Sequence, residues 1–213
     1  YPGIPKPPFV PGIEFAGTVE SVGKSVKTLR EGDRVFGFTR QKAYAEYVAV
    51  PATLVFRMSK RMSFEEAAAF GVTYLTAYHA LITLGQMKKG ESLLLHAAAG
   101  GVGTAALQIA KHLGVRVYAT VGSHSKTQTA QDLGAAVVIN YTEEEFAEIV
   151  RQETNGQGVD VILDSVGGKV FRKGWKLLRP MGRYVLYGFA AIAGRKGVSK
   201  IKALIEAASV PLI

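Results

Sequence analysis

The chain of 213 residues contains no cysteine. That absence removes disulfides, thiolate nucleophiles and cysteine-ligated zinc together, and it fits a reducing, cytoplasmic setting. Histidine is scarce as well. His79, His96, His112 and His124 fall into neither an H-x-x-x-H nor an H-E-x-x-H arrangement, the spacing that puts two ligands on one helical face. His96 closes an apolar run and reads as a core or turn histidine, His112 as a helix-face residue. No G-x-S-x-G occurs, so the nucleophile elbow of the serine hydrolases is excluded. Between Glu91 and Asp132 there is no Asp or Glu at all. An initiator methionine and a signal-peptide pattern are both lacking, and the opening "YPGIPKPPFVPG" reads as the middle of a domain, so a soluble fragment is expected. The longest uncharged run, Ser92 to Ala110, approaches membrane-span length, but His96, Gln108 and paired glycines interrupt it. It reads as a buried strand, a turn and a helix.

What the chain does have is positive charge. Twenty-six Lys and Arg against seventeen Asp and Glu give +9. The cations are spread along the chain, with a modest cluster at Arg195, Lys196, Lys200 and Lys202. A solvated basic surface that also attracts an anionic cofactor explains this balance. No nucleic-acid-binding motif accompanies it, so no specific nucleic acid is expected. With 48% hydrophobic residues, the composition suits one large domain or one domain and part of another.

Two textures divide the chain. Residues 10–57 carry short alternating runs, "EFAGTVESVG", "GDRVFGF" and "AYAEYVAV", which predict several short, antiparallel or barrel-like strands. At "SFEEAAAF", Ser63 followed by Glu66 is a capping box that opens a helix, and a second helical segment is expected from about Leu75 to Leu84. From Glu91 the rhythm changes. Five continuous apolar strands ("SLLLH", "VRVYATV", "AVVIN", "VDVILDSVG", "RYVLYG") alternate with helices, the last of them over "FRKGWKLLRPMG". Gly114 ends the first helix, and Glu143, Glu144 and Glu145 fall in the first turn of a later one. Continuous apolar strands belong to parallel sheets covered on both faces. The expected fold is α/β: a doubly wound parallel Rossmann sheet over residues 64–213, preceded by part of a β-rich domain over residues 1–63.

The stretch "HAAAGGVGT" lies between the first strand and first helix of that series, where a dinucleotide fingerprint belongs. In register it reads Ala98-x-Gly100-x-x-Gly103, with alanine for the first glycine. Gly100 lets the backbone approach a pyrophosphate, and the helix N-terminus faces the anion. The second strand ends in Val121-Gly122-Ser123-His124-Ser125-Lys126. The acid that would bind a ribose 2′-OH is missing there, whereas Ser123 and Lys126 suit a 2′-phosphate. NADPH is therefore expected over NADH.

The segments "HAAAGGVG", "TVGSHSK", "VINY", "DSVGG" and "GRYVLYG", in this order, resemble the zinc-independent quinone oxidoreductase branch of the medium-chain dehydrogenase/reductase superfamily. "VTYLTAYHAL" and "LLRPMGRYVLYG" are similar to the VAT-1 group within it. The resemblance implies a GroES-like first domain and a homodimer. It also implies hydride transfer from NADPH to a quinone or an α,β-unsaturated carbonyl, with a proton then taken from water or a hydroxyl. It places Gly100, Gly101, Val102 and Gly103 on the pyrophosphate, and Gly122, Ser123, Lys126 and Tyr141 around the 2′-phosphate. Thr76, Ser165, Val166, Tyr187, Gly188, Phe189 and Ala190 fall on the nicotinamide half. Where zinc-dependent relatives have "PGHE", this chain reads Pro11-Gly12-Ile13-Glu14; Ile13 binds no metal, and Glu14 reads as structural. No residue reads as the general acid: Tyr1 and Tyr74 are near by position but read as packing tyrosines. The resemblance further implies segments beyond both ends, so the stretch alone is not expected to be a competent enzyme. Two other readings follow: an enoyl-thioester reductase of a larger synthase, and a non-catalytic NADPH-binding protein with peripheral membrane or nucleic-acid contacts.

Overall fold

The computed structural model describes residues 7–190. Tyr1 and the basic cluster at 195–202 lie outside the described residues. The described chain falls into two compact units, one running to Leu75 and the other starting at Thr76.

In the first unit, β1 (Glu14–Thr18), β2 (Arg34–Phe38) and β3 (Val55–Arg57) form an antiparallel sheet in that order. Phe36 of β2 stacks on Phe56 of β3 with ring centroids 5.6 Å apart, and it meets Phe70 edge-on at 5.8 Å. The expected strand over "AYAEYVAV" is absent. Both edges of β2 are taken, by β1 and β3, and Tyr44 and Tyr47 are 75% and 74% exposed. Alternation makes a strand where one face is buried against a neighbour, and none of residues 43–50 is buried.

Helix α1 (Phe64–Tyr78) runs straight into a π-helical turn over His79–Leu84, closed by the Gly85 N–H on the Ala80 carbonyl at 2.9 Å. The two expected helical segments are thus one continuous helix: no proline interrupts residues 64–84, and Thr73 turns its hydroxyl back onto the Ala69 carbonyl instead of capping a new start. The capping box is present: Glu66 N–H donates to Ser63 Oγ at 3.1 Å, and Ser63 N–H donates to Glu66 Oε2 at 2.8 Å.

The second unit carries the parallel sheet. Its strands are β4 (Ser92–Leu95), β5 (Arg116–Val121), β6 (Val137–Asn140), β7 (Val159–Asp164) and β8 (Leu178–Leu186), in the spatial order β6-β5-β4-β7-β8. All four pairings are parallel. Leu93, Leu94 and Leu95 are wholly buried, as strands covered on both faces require. The intervening helices are α2 (Gly101–Leu113), α3 (Thr127–Asp132), α4 (Phe146–Glu153) and α5 (Lys169–Trp175). One core layer gathers Leu94, Tyr118, Ile139, Phe146, Val150, Ile162 and Leu177. Gly114 ends α2 in the left-handed conformation (φ 68°), where a Cβ would be strained.

Two details differ from the sequence reading. The Glu143–Glu145 run precedes α4 instead of forming its first turn: Glu145 caps the helix, accepting the Ala147 N–H, and Glu144 accepts the Asn140 N–H at 2.9 Å. A carboxylate that accepts a free N–H at a helix start is stabilised there by the positive end of the helix dipole. Strand β8 also starts earlier than "RYVLYG". Pro180 is tolerated because β8 is the edge of the sheet among the described residues. The pairing shifts register between Val159 and Val161, and Met181 (φ 65°) stands 92% exposed.

The capping box gives a direct check on this architecture. Ser63→Ala is expected to lower stability by about 1 kcal/mol, read as a lower urea midpoint with an unchanged m-value.

Candidate functional site

A parallel sheet buried on both faces leaves little room for polar side chains, so the positions of those it does bury are informative. His96, Thr120, Asn140 and Asp164 are all buried, and each stands at the carboxyl end of one of the adjacent strands β4, β5, β6 and β7. The chain order reverses between β4 and β7, which is where open α/β sheets bind ligands.

The turn after β4 is built for close approach. Ala97 adopts φ 53°, Ala98 N–H donates to the Thr120 carbonyl at 3.0 Å, and Gly100 N–H donates to the Ala97 carbonyl at 3.0 Å. A Cβ on Gly103 would collide with the carbonyl oxygens of both Ala97 and Ala98, so only glycine lets α2 pack this near the strand. No side chain caps α2 at Gly100, and its first turn carries no acid. Thr104 is the first residue of α2 whose N–H returns to the turn, onto the Gly100 carbonyl at 2.8 Å. The N–H groups of Gly101, Val102 and Gly103 therefore have no acceptor in the turn among the described residues, with the positive end of the helix behind them. Gly100 and Gly101 are exposed.

A second group gathers at the ends of β5 and β6. Tyr141 N–H donates to the Val121 carbonyl at 3.1 Å, and the Tyr141 phenol lies against Gly122 so closely that a Cβ there would meet its oxygen. Ser123 and Ser125 hydroxyls are 3.0 Å apart, and a single 3-10 turn over His124–Lys126 follows, closed by the Lys126 N–H on the Ser123 carbonyl at 3.1 Å. Lys126 is exposed and has no ion-pair partner among the described residues.

The third group joins the ends of β7 and β8. Asp164 Oδ1 accepts the N–H of Val166 at 2.6 Å and of Gly167 at 3.1 Å, and Oδ2 accepts the Tyr184 hydroxyl at 2.7 Å. Tyr187 N–H donates to the Asp164 carbonyl at 2.9 Å, and Ala190 N–H donates to the Ser165 carbonyl at 3.0 Å. Phe189 lies against Gly167. Burial, reinforced by Asp164, raises the Tyr184 phenol well above its ordinary range. Burial also raises Tyr187, against a lowering hydrogen bond from Ser165.

The structure thus brings fourteen sequence-predicted residues into three groups at one end of the sheet: Gly100 to Gly103; Gly122, Ser123, Lys126 and Tyr141; and Ser165, Val166 and Tyr187 to Ala190. Thr76 is half-buried on α1, and no hydrogen bond or ring contact ties it to these groups among the described residues. Tyr74 stacks on Phe70 at 4.4 Å, as a packing tyrosine does. Asp164, Thr120 and Tyr184 were not foreseen; an acid ending the apolar run "VDVILD" was the available signal.

His96 is buried, with Nδ1 3.0 Å from Thr120 Oγ1 and its ring edge-on to Phe146 at 4.9 Å. Its Nε2 has no partner among the described residues. Burial pushes its pKa down to about 4, against the raising charge of Asp164. Glu14 Oε2 accepts the Val72 N–H at 2.9 Å, the role of a structural carboxylate. A zinc ion does not fit the donor set: the chain has no cysteine, and no three metal-ligating side chains converge among the described residues. A cavity of about 280 Å³ lies at the opposite, amino end of the sheet, beside Ser92, Arg116 and Asp160. Its arginines are already paired, Arg116 with Glu153 at 3.3 Å and Arg179 with Asp160 at 3.1 Å, so it offers no free charge to a ligand.

Residues 101–207 match the zinc-binding dehydrogenase family and residues 1–60 the alcohol dehydrogenase GroES-like domain. The chain is 41% identical over 198 residues to the synaptic vesicle membrane protein VAT-1 homolog of Danio rerio, covering 92% of this chain and 40% of that protein. It therefore spans about two fifths of that relative's length. Among solved structures, it resembles Escherichia coli quinone oxidoreductase complexed with NADPH at a TM-score of 0.84 and 36% identity, over 97% of this chain and 64% of that one. The CurK enoyl reductase is similar at a TM-score of 0.80 and 36% identity, over 93% of this chain and 58% of that one.

Two outcomes test this geometry. Gly103→Ala forces backbone atoms apart and is expected to cost about 2–3 kcal/mol, measured by thermal or urea denaturation. For His96 the sign follows from its lowered pKa. Between the ordinary value of 6.5 and about 4, the unfolded chain binds a proton that the folded imidazole refuses. Stability therefore falls as pH drops through that window, by roughly 3 kcal/mol in all, and levels off below it. His96→Gln is expected to remove the part of this slope between pH 6.5 and 5; an unchanged slope would assign it to another group.

Proposed function

The chain belongs to the medium-chain dehydrogenase/reductase family, in its zinc-independent quinone oxidoreductase branch, and from that premise we propose that it binds NADPH and serves a reductase of quinones or α,β-unsaturated carbonyls. One observation carries the cofactor choice. Lys126, exposed and without an ion-pair partner among the described residues, stands with Ser123 and Tyr141 at the ends of β5 and β6, and the stretch from Ser92 to Gln131 that holds Ser123 and Lys126 has no acid. A carboxylate at this place would bind a ribose hydroxyl and repel a phosphate; a lysine and a hydroxyl do the reverse. The NADPH complex of the quinone oxidoreductase relative supports the same reading.

When bound, NADPH supplies the hydride. The residues of this chain do the holding. The free N–H groups at the start of α2 bind the pyrophosphate. Lys126 and Ser123 take the 2′-phosphate, with Tyr141 packed over Gly122 beside it. The segments at 165–167 and 187–190 shape the nicotinamide half. Rate enhancement in such a site comes largely from fixing two reactants in register and excluding water. The raised phenols of Tyr184 and Tyr187 keep their protons and act as hydrogen-bonding groups within the scaffold.

The likeness to the CurK enoyl reductase favours a second substrate class, an enoyl thioester, reduced by the same hydride chemistry. Turnover of an enoyl thioester in preference to quinones and simple enones would select that class.

Reduced-cofactor titrations followed by nicotinamide fluorescence test the proposal. NADPH is expected to bind more tightly than NADH, and Lys126→Ala to weaken NADPH by about tenfold or more while leaving NADH unchanged. Preference for NADH would overturn the cofactor assignment. Failure of the whole parent protein to oxidise NADPH with any quinone, enone or enoyl thioester would overturn the reductase.

A further inference from the structure

Asp164 is fully buried at the switch between β4 and β7. The register that pairs Leu95 with Leu163 sets it beside His96. Three donors converge on its carboxylate: the N–H groups of Val166 and Gly167 and the hydroxyl of Tyr184. A carboxylate meets three donors without presenting one of its own, which neither an amide nor a hydroxyl does. Its backbone extends the same role. The Asp164 carbonyl accepts the Tyr187 N–H, and the next carbonyl, of Ser165, accepts the Ala190 N–H. Gly188 lies close enough to Ser165 that a Cβ would come within 2.8 Å of that carbonyl oxygen. Two loops that follow different strands are thus fastened to one residue and to each other.

We propose that Asp164 is the positioning residue for the nicotinamide half of the site, fixing the 165–167 and 187–190 segments in the geometry that receives the ring. This rests on the NADPH reading above. Asp164 touches no cofactor atom itself; it acts through the two loops. The phosphate-binding elements, at the N-terminus of α2 and at the ends of β5 and β6, donate no hydrogen bond to its carboxylate among the described residues. The two halves of the cofactor are therefore expected to respond differently when it is changed.

That difference is measurable on the chain as it stands. Calorimetric affinities for NADPH and for 2′,5′-ADP, which has the 2′-phosphate but no nicotinamide, separate the two halves. Asp164→Asn keeps the shape and turns a donor toward groups that are themselves donors. It is expected to weaken NADPH about tenfold while leaving 2′,5′-ADP within twofold of the parent. Tyr184→Phe removes one of the three donors and is expected to show the same split more weakly, about threefold, with the far-ultraviolet dichroism retained. Should Asp164→Asn fail to fold, the Tyr184→Phe split decides alone. Equal losses for both ligands, or no loss for NADPH, would overturn the positioning role. A parent chain that binds neither ligand would instead overturn the NADPH reading.

Discussion

A parallel sheet delivers the carboxyl ends of all its strands to one edge, and where the chain reverses direction between β4 and β7 the connections part. Everything assigned to ligand binding hangs from that gap. The first helix must start there, so its unpaired N–H groups lie at the gap. It must also lie close to the strand it follows, and the contact of Gly103 with the Ala97 and Ala98 carbonyls sets that distance. A methyl group in this one place would push the helix, and its field with it, away from the turn.

The same edge is where the sheet accepts polar side chains in an otherwise apolar interior. Each makes at least one specific contact: Thr120 with His96, Asn140 with Thr142, and Asp164 with two backbone amides and Tyr184. His96 Nε2 and Asn140 Nδ2 are buried without a partner among the described residues, so Asp164, with every donor around it engaged, is the group that holds its turns in one arrangement. The amino edge has its own network, in which Asp160 receives both the N–H and the hydroxyl of Ser92 as well as Arg179. Partial burial raises its carboxyl, and these donors more than offset that, leaving it below the ordinary range. One edge is therefore closed by its ion pairs, whereas the other presents amides without acceptors and a lysine that is unpaired among the described residues.

Much of this could be read from the residues. Continuous apolar runs such as Ser92–Leu95 and Val159–Asp164 indicate parallel strands, because only burial on both faces removes the alternation. The glycine turn and the missing acid likewise point to their site through local chemistry. What escaped depends on distant neighbours. "AYAEYVAV" has the period of a strand, but neither of its faces is buried, and a period alone does not say whether a face will be covered. Pro180 sits within β8 because that strand lies at the edge, which the sequence around it does not reveal. Asp164 looks like an ordinary turn acid until β8 brings Tyr184 to it. The left-handed backbone at Ala97 is imposed by the closure of the turn, against the residue's own preference.

The stretch from Ser92 to Gln131 without a single acid has a kinetic side as well. Lys126 falls within it at the carboxyl edge, and no carboxylate of the stretch itself dilutes its field; Arg116, paired with Glu153, stands at the other edge. An approaching polyanion meets this field before it touches any residue, within about a Debye length, roughly 10 Å at 0.1 M salt. Encounter is then guided rather than random, and ionic strength sets its pace. The missing acid thus governs arrival as well as fit: the residues that select a phosphate also draw it in.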